Sequence, residues 1–197
     1  MDEIAIKLVA MIGDWGYLGI FILMFLESSF FPFPSEVVMI PAGYLAYKGE
    51  MNLVGVLGAG VAGSVAGALF NYWLAMIFGR AFLLRYGKYF FFSPQALQKL
   101  ELFFAKHGEI STFNGRLIPA VRQYISLPAG LAKMSILKFV VYTSLGASIW
   151  MAVLVGLGYF IGSNEELIRE YFKIAIIIAL LFVAILTYWY IRNQRDR

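Results

Sequence analysis

Three stretches of this chain run without a single Asp, Glu, Lys or Arg: Leu53 to Gly79, Phe139 to Ile161 and Ile174 to Ile191. Each reaches the roughly 17 to 25 residues that a bilayer crossing requires. Composition agrees, with 61% of residues apolar and 14% charged, against roughly 45 to 50% and about 25% in soluble domains. A soluble globular domain, a disordered tail and a fibrous repeat are excluded, because each needs polar surface or low-complexity sequence that is lacking. The net charge of +4 therefore reads as membrane topology, and no nucleic-acid partner is expected. With no cysteine there is no disulfide, no thiolate metal site and no thiol nucleophile. Asp2 and Glu3 precede the first lysine, and no small-residue cleavage site follows the first apolar stretch, so a signal peptide is not expected.

Two further apolar regions are interrupted near their middles by proline and charge. The first, Tyr17 to Tyr47, contains Glu27, Pro32, Pro34, Glu36 and Pro41. As helices its arms, Tyr17 to Phe31 and Val37 to Tyr47, would be roughly 22 and 16 Å long at about 1.5 Å per residue. Neither crosses a hydrocarbon core of about 30 Å. The second, Ile110 to Ala132, carries Arg116, Pro119, Arg122, Pro128 and Gly130 in still shorter pieces. Both read as re-entrant hairpins broken at Pro32, Pro34, Pro119 and Pro128, a form tolerated only where protein or a wet cavity satisfies the broken backbone. The alternative, one ordinary span from Ile4 to Leu26, is disfavoured by Lys7 and Asp14, and residues 1–16 are read as an interfacial segment.

Between the halves, Ser93 as N-cap, Pro94 at the first helical position and Leu97, Leu100, Phe103 and Phe104 on one face predict an amphipathic interfacial helix over 93–108, closed by Gly108. Keeping basic loops inside places Lys133, Lys138 and the tail 192–197, with Arg192 and Arg195, in the cytoplasm, and Lys48 to Asn52 outside. The hairpins then enter from opposite faces. They share an echo, Pro41-Ala42-Gly43 against Pro128-Ala129-Gly130. The expected architecture is an all-α integral membrane protein in a single domain, an inverted repeat of two oppositely oriented re-entrant hairpins with about three full transmembrane helices. Transport sites form where such broken helices meet near the midplane.

Gly55, Ala59, Gly63, Gly67, Asn71, Ala75 and Gly79 line a small-residue ridge at every fourth position of the first span. Small residues allow close helix approach in lipid, so Gly55, Gly63 and Gly67 are read as packing positions. Gly58, Gly60 and Gly63 also spell a dinucleotide fingerprint, but no strand precedes it and no suitable acid follows about 20 positions on. Glu27, Glu36, Arg116 and Arg122 carry the chemistry. At roughly 2.5 to 3.5 kcal/mol each, four unpaired charges would cost about as much as a whole domain's stability of roughly 5 to 15 kcal/mol. They must be paired, hydrated or bound to a ligand. One reading is a structural ion-pair cluster. The other adds a phosphate on the arginine forks, which suit bidentate contact, with a proton on Glu27 or Glu36 neutralising the site so that the headgroup leaves.

Catalysis is disfavoured by residue counts. The single histidine, His107, lies in the basic segment, and the only aspartates are Asp2, Asp14 and Asp196. Neither a histidine-dependent hydrolase nor an intramembrane aspartyl protease can be assembled, and no metal-ligand cluster or cofactor motif is legible. A proton-coupled carrier of a small solute or ion would use the same four charges, and a membrane component without transport would need them only as a cluster.

The segments ESSFFPFPSE (27–36), PAGY (41–44), GR (79–80), GRLIPAVRQ (115–123) and ISLPAG (125–130) together resemble the DedA family of membrane proteins, over about Tyr17 to Gly162. The resemblance implies movement of lipids across bilayers, undecaprenyl phosphate and phosphatidylethanolamine above all, in bacterial cytoplasmic membranes and with a link to the proton-motive force. It places the family's acidic pair on Glu27 and Glu36 and its arginine pair on Arg116 and Arg122. The implied partners are a membrane phospholipid or a polyprenyl phosphate, and protons; association with further copies of the chain is left open. Two positions depart from the common pattern: Ala68 stands where many members carry aspartate after the glycine, and Gln123 where many carry threonine. The P-S-E and I-S-x-P-A-G forms look more like the phosphatidylethanolamine-associated branch.

Overall fold

The computed structural model describes residues 2–29, 34–86, 94–118 and 121–161. The third uncharged stretch, Ile174 to Ile191, and the basic tail lie outside them, as do Ser93, Pro32 and Pro119. Among the described residues every regular element is helical: α1 (Asp2–Ser28), α2 (Glu36–Tyr47), α3 (Leu53–Leu74), α4 (Arg80–Tyr86), α5 (Pro94–Leu117), α6 (Ser126–Leu131) and α7 (Ile136–Ile161), with a π-turn at Ala75–Gly79 joining α3 to α4. Two helical runs, Leu53–Leu83 and Ile136–Phe160, are long and apolar enough to cross a membrane. The described part of the chain is all-helical, with two helices fit to span a membrane.

Helix, break, helix and span follow one another twice. In the first half α1 turns sharply at Gly16 (φ 58°, ψ −147°), so its second arm begins at Tyr17. Asn52 caps α3 by accepting from the N–H groups of Val54 and Gly55 at 2.9 and 3.2 Å. Its own N–H donates to the Tyr17 hydroxyl at 2.7 Å, which ties the start of the span to the start of the arm. In the second half the C-terminal part of α5 is the leading arm, α6 the trailing arm and α7 the span.

The halves interlock. Each leading arm packs on its own span, α1 on α3 and α5 on α7, while each trailing arm packs on the span of the other half, α2 on α7 and α6 on α3. The small-residue ridge of α3 faces α1: Gly55 meets the Tyr17 ring, Gly63 the carbonyl of Phe21 and Gly67 that of Phe25. From Gly63 to Gly67 and from Phe21 to Phe25 ridge and arm advance together by four residues, and there the backbones touch; without a hydrophobic force between helices in lipid, such contact holds them together. The two Pro-Ala-Gly echoes do equivalent work at the crossed contacts. A methyl group on Gly43 would collide with the carbonyl of Val155 on α7, and one on Gly130 with the carbonyl of Tyr72 on α3. Around these contacts lie two apolar clusters, one holding Met24, Met39, Val56 and Met151, the other Ala68, Tyr72, Phe104 and Phe139.

Two expectations are corrected. Gly108 does not end the amphipathic helix: α5 runs unbroken from Pro94 to Leu117. A single glycine costs a helix only about 1 kcal/mol, and here the next residue, Glu109, is anchored to α7 by Lys138 at 2.5 Å and by the Tyr142 hydroxyl at 2.9 Å. Pro128 is not a break either. It is the third residue of α6, in the first turn, where its missing N–H would have no helical acceptor.

Candidate functional site

The two breaks deliver their side chains to one buried place. Glu27 and Ser28 come from the last turn of α1, Ser35 from the approach to α2, Arg116 from the last turn of α5, Arg122 and Ser126 from beyond the second break. Spans add Ser64 and Asn71 from α3 and Trp150 from α7. Glu27, Arg116 and Arg122 are only 2, 3 and 6% exposed, so their charges are held by protein contacts and by one another.

Termination of α1 is itself part of the site. The last carbonyls of a helix lack intrahelical donors, and in lipid no water replaces them. Asn71 does so, its Nδ2 donating to the carbonyls of Ser28 at 3.2 Å and Ser29 at 2.6 Å. The Ser29 hydroxyl donates back to the Leu26 carbonyl at 2.9 Å. With its end fixed, Glu27 sets Oε1 2.6 Å from Arg122 Nη2. The approach is off the hydrogen-bonding angle and Oε1 has no hydrogen-bond donor, so it is a charge contact. The same Nη2 donates to Ser35 Oγ at 2.7 Å, and Trp150 Nε1 donates to that oxygen at 3.2 Å. The Arg122 guanidinium lies 5.2 Å from the Trp150 ring centre, close enough for cation–π attraction. Both breaks and α7 thus meet at Ser35.

Arg116 has no carboxylate at ion-pair distance among the described residues. Its Nη2 donates to Ser126 Oγ at 3.2 Å and its Nη1 to Ser64 Oγ at 3.4 Å. Ser64 Oγ lies 2.7 Å from Ser28 Oγ, which donates to Glu27 Oε2 at 2.8 Å. Among the described residues the Nε groups of both arginines have no hydrogen-bond partner. Counted over the described residues, the site therefore holds two guanidiniums, one carboxylate and two unused N–H donors, an imbalance that an anion would relieve.

Of the four charges singled out in the sequence, three converge and one does not. Glu36 stands in the first turn of α2, half-buried, and makes no ion pair among the described residues. Pro34 lies directly before Ser35 in the first break. Sequence reasoning missed Ser28, Ser64, Ser126 and Trp150 as members of the site, placed Ser35 only at the tip of the first hairpin, and took Asn71 for a packing residue. A signal existed for two of them: Ser64 is a polar residue deep in an uncharged span, and Trp150 lies mid-span and not in an interfacial belt.

A cavity of about 450 Å³ opens at the other end of α2, lined by Gly13, Asp14, Tyr44, Leu45, Lys48, Glu50 and Met51. It lies roughly 18 Å from Ser35 along the helix, and its two carboxylates disfavour an anion.

Fold and site together define a membrane protein whose paired helical breaks bury an arginine-rich polar cluster between two spans. The VTT domain family matches residues 33–160, and the chain belongs to this family, the DedA family of membrane proteins. It is 38% identical to the Bacillus subtilis membrane protein YkoX over all of this chain and 88% of that one. It is 34% identical to Bacillus subtilis undecaprenyl phosphate transporter A, over 94% of this chain and 93% of the relative, and 28% identical to Escherichia coli protein DedA over 91% and 83%. No solved structure matches.

Proposed function

We propose that this protein moves a phosphate-bearing lipid between membrane leaflets, with Arg116 and Arg122 as the phosphate ligands. The observation that carries the reading is the imbalance of the buried cluster: among the described residues, two guanidiniums against one carboxylate, each guanidinium with an Nε–H that has no partner. A phosphate supplies the missing charge and the missing acceptors. The kinship with a transporter named for undecaprenyl phosphate favours a polyprenyl phosphate as the lipid. Phosphatidylethanolamine is the second reading, favoured by the P-S-E and I-S-x-P-A-G segments.

The proton acts with a sign opposite to the one suggested by the sequence. Glu27 occupies Arg122 as a competitor of the phosphate. Adding a proton to Glu27 removes the competitor and raises the positive charge of the site, so protonation favours loading and deprotonation favours release. Because all three charges are buried, admission of a headgroup requires the breaks to part at Ser35, where α2, Arg122 and Trp150 meet. In this reading the hairpins are re-entrant and enter from opposite faces of a bacterial cytoplasmic membrane, with the C-terminus in the cytoplasm.

Reconstitution in vesicles with labelled lipids tests it. Wild type exchanges the labelled lipid between leaflets, while Arg116→Lys and Arg122→Lys fold and lose most of the exchange, because an ammonium cannot reproduce the planar fork. Normal exchange in both variants refutes the phosphate clamp. Saturable binding of a tailless solute in place of lipid would instead point to a small-solute carrier. Topology is testable in the same cysteine-free background: a cysteine at Lys48 reacts with an impermeant maleimide from outside intact cells, and one at Lys133 only after permeabilisation. Labelling of position 133 from outside refutes the opposed hairpins.

A further inference from the structure

A serine at the start of a helix ordinarily caps it, its hydroxyl oxygen accepting from N–H groups two or three residues on. Ser35 stands at that position of α2 and does not do so. The N–H of Val37 goes to the Pro34 carbonyl at 3.2 Å, and those of Val38 and Met39 go to the carbonyl of Ser35 itself at 3.1 and 2.8 Å. The hydroxyl is turned instead into the polar cluster. There its oxygen accepts twice, from Arg122 Nη2 at 2.7 Å and from Trp150 Nε1 at 3.2 Å. Neither partner can take a hydrogen in return, because a guanidinium and an indole N–H only donate.

A hydroxyl has two lone pairs and one hydrogen. With both lone pairs of Ser35 taken, its hydrogen points in the remaining direction, away from Arg122 and Trp150. Among the described residues nothing accepts it. Glu27 Oε1, which shares Arg122 with Ser35, receives no hydrogen bond. Ser35 is also 0% exposed, so bulk water does not reach it, and a buried donor without an acceptor is costly. The other serines of the cluster differ. Ser28 donates to Glu27 Oε2, while Ser64 and Ser126 each accept a single N–H, from Arg116, so the hydroxyls of those two can still turn.

We propose that Ser35 is a ligand of the phosphate, its hydroxyl donating to a phosphate oxygen beside the Nε–H of Arg122. The assignment rests on the phosphate-transport reading and adds to it a neutral donor of fixed direction. Nε and Nη2 of Arg122 belong to one planar fork, so an anion oxygen taken up by Nε lies close to the hydroxyl that Nη2 holds. The guanidinium on the serine oxygen polarises the O–H and strengthens it as a donor. A charged donor attracts any anion, whereas a hydroxyl pinned on both lone pairs asks for an acceptor oxygen in one place. A phosphate admitted when the breaks part is then held from both halves of the molecule, by Ser35 from the first and by Arg116 and Arg122 from the second.

Phosphorus–carbon dipolar recoupling on the full chain in frozen maltoside micelles, which contain no phosphorus, tests the contact directly. Pro34-Ser35 is the one Pro-Ser step in the sequence, so prolines labelled at the carbonyl carbon and serines labelled at nitrogen and Cβ single out the Ser35 signal without a variant. With inorganic phosphate or a short-chain phosphatidic acid bound, phosphorus should lie roughly 4 to 5 Å from Ser35 Cβ, one hydroxyl hydrogen bond of about 2.7 Å plus the covalent bonds at its ends. Phosphorus close to nitrogen-15-labelled arginine Nε but not to Ser35 would overturn the assignment and leave the phosphate clamp standing. Affinity provides the second test. Ser35→Ala should weaken binding of both probes about tenfold or more, the loss of a hydrogen bond to a charged group. If Ser35 served only to hold Arg122, its removal would release Arg122 Nη2 and the Trp150 N–H to the anion, and unchanged or tighter binding would refute the ligand role. Tighter binding of inorganic phosphate than of phosphatidic acid, with Ser35 in contact, would keep the assignment and overturn a lipid as the cargo. No binding of either probe to wild type would overturn the phosphate reading and this assignment together.

Discussion

Neutralising Glu27 separates an ion pair that holds the two halves together from one that is incidental to them. With Oε1 and Nη2 2.6 Å apart, the charge centres lie about 4 Å apart, worth about 4 kcal/mol at an effective dielectric constant of about 20. Glu27→Gln keeps the shape and removes the charge, leaving two buried guanidiniums without a counter-ion among the described residues. Breaking a buried pair from one side costs roughly 3 to 5 kcal/mol, a large part of the roughly 5 to 15 kcal/mol that folded domains possess. Reversible unfolding in mixed micelles should show losses of this size for Glu27→Gln and for Arg122→Gln. The double variant should lose less than the sum, with a coupling energy of about 2 to 3 kcal/mol. The same cycle between Glu27 and Arg116→Gln should give a smaller coupling, about 1 kcal/mol or less, because two hydroxyls separate those charges. Inorganic phosphate should stabilise Glu27→Gln more than wild type, since a ligand stabilises in proportion to its affinity for the folded state and the variant lacks the competing carboxylate. Additivity of Glu27→Gln and Arg122→Gln within about 0.5 kcal/mol would refute the energetic account of the site.

Three further outcomes are expected. Gly43→Val and Gly130→Val drive a side chain into a backbone carbonyl of the opposite span and should abolish the folded monodisperse species in detergent, whereas Gly58→Ala, which meets open space within α3, should gain about 0.5 to 1 kcal/mol; equal behaviour of the three would refute the crossed packing. The Tyr142 hydroxyl and the Lys138 ammonium hold the Glu109 carboxyl below its ordinary value, with the Lys138 hydrogen bond the larger cause. Its contribution to stability is therefore full above the unfolded-state pKa and is lost as pH falls through the lowered folded-state value, so the acid limb of the unfolding midpoint should flatten in Glu109→Gln, and an unchanged acid limb would refute the contact's role. Glu36→Gln, removing a carboxylate that makes no ion pair among the described residues, should destabilise far less than Glu27→Gln; comparable losses would place Glu36 in the cluster.

What the sequence determined by itself is whatever a bilayer imposes on local composition. Uncharged runs of sufficient length mark the two described spans, charge near the ends of short apolar arms marks where α1 and α5 stop, and small residues at every fourth position mark the face along which a span accepts a neighbour. These follow from the energy of exposing backbone and charge to hydrocarbon, which each segment meets on its own. The family was legible for the same reason, its motifs being clustered at the breaks. Partnership was decided only by the tertiary structure. Glu27 and Glu36 flank Pro32 and Pro34 in the sequence, yet the capped end of α1 delivers Glu27 to Arg122 while Glu36, in the first turn of α2, makes no ion pair among the described residues. Arg116 and Arg122 look equivalent in sequence, and one is given a carboxylate while the other receives two serine hydroxyls. Serine and asparagine in an apolar span carry no periodic signal that tells packing from capping or from a hydrogen-bonded row; this depends on which donor lies across the interface. The crossing of α2 onto α7 and of α6 onto α3, which brings those donors and acceptors together, is a property of non-local contacts that no window of the sequence contains.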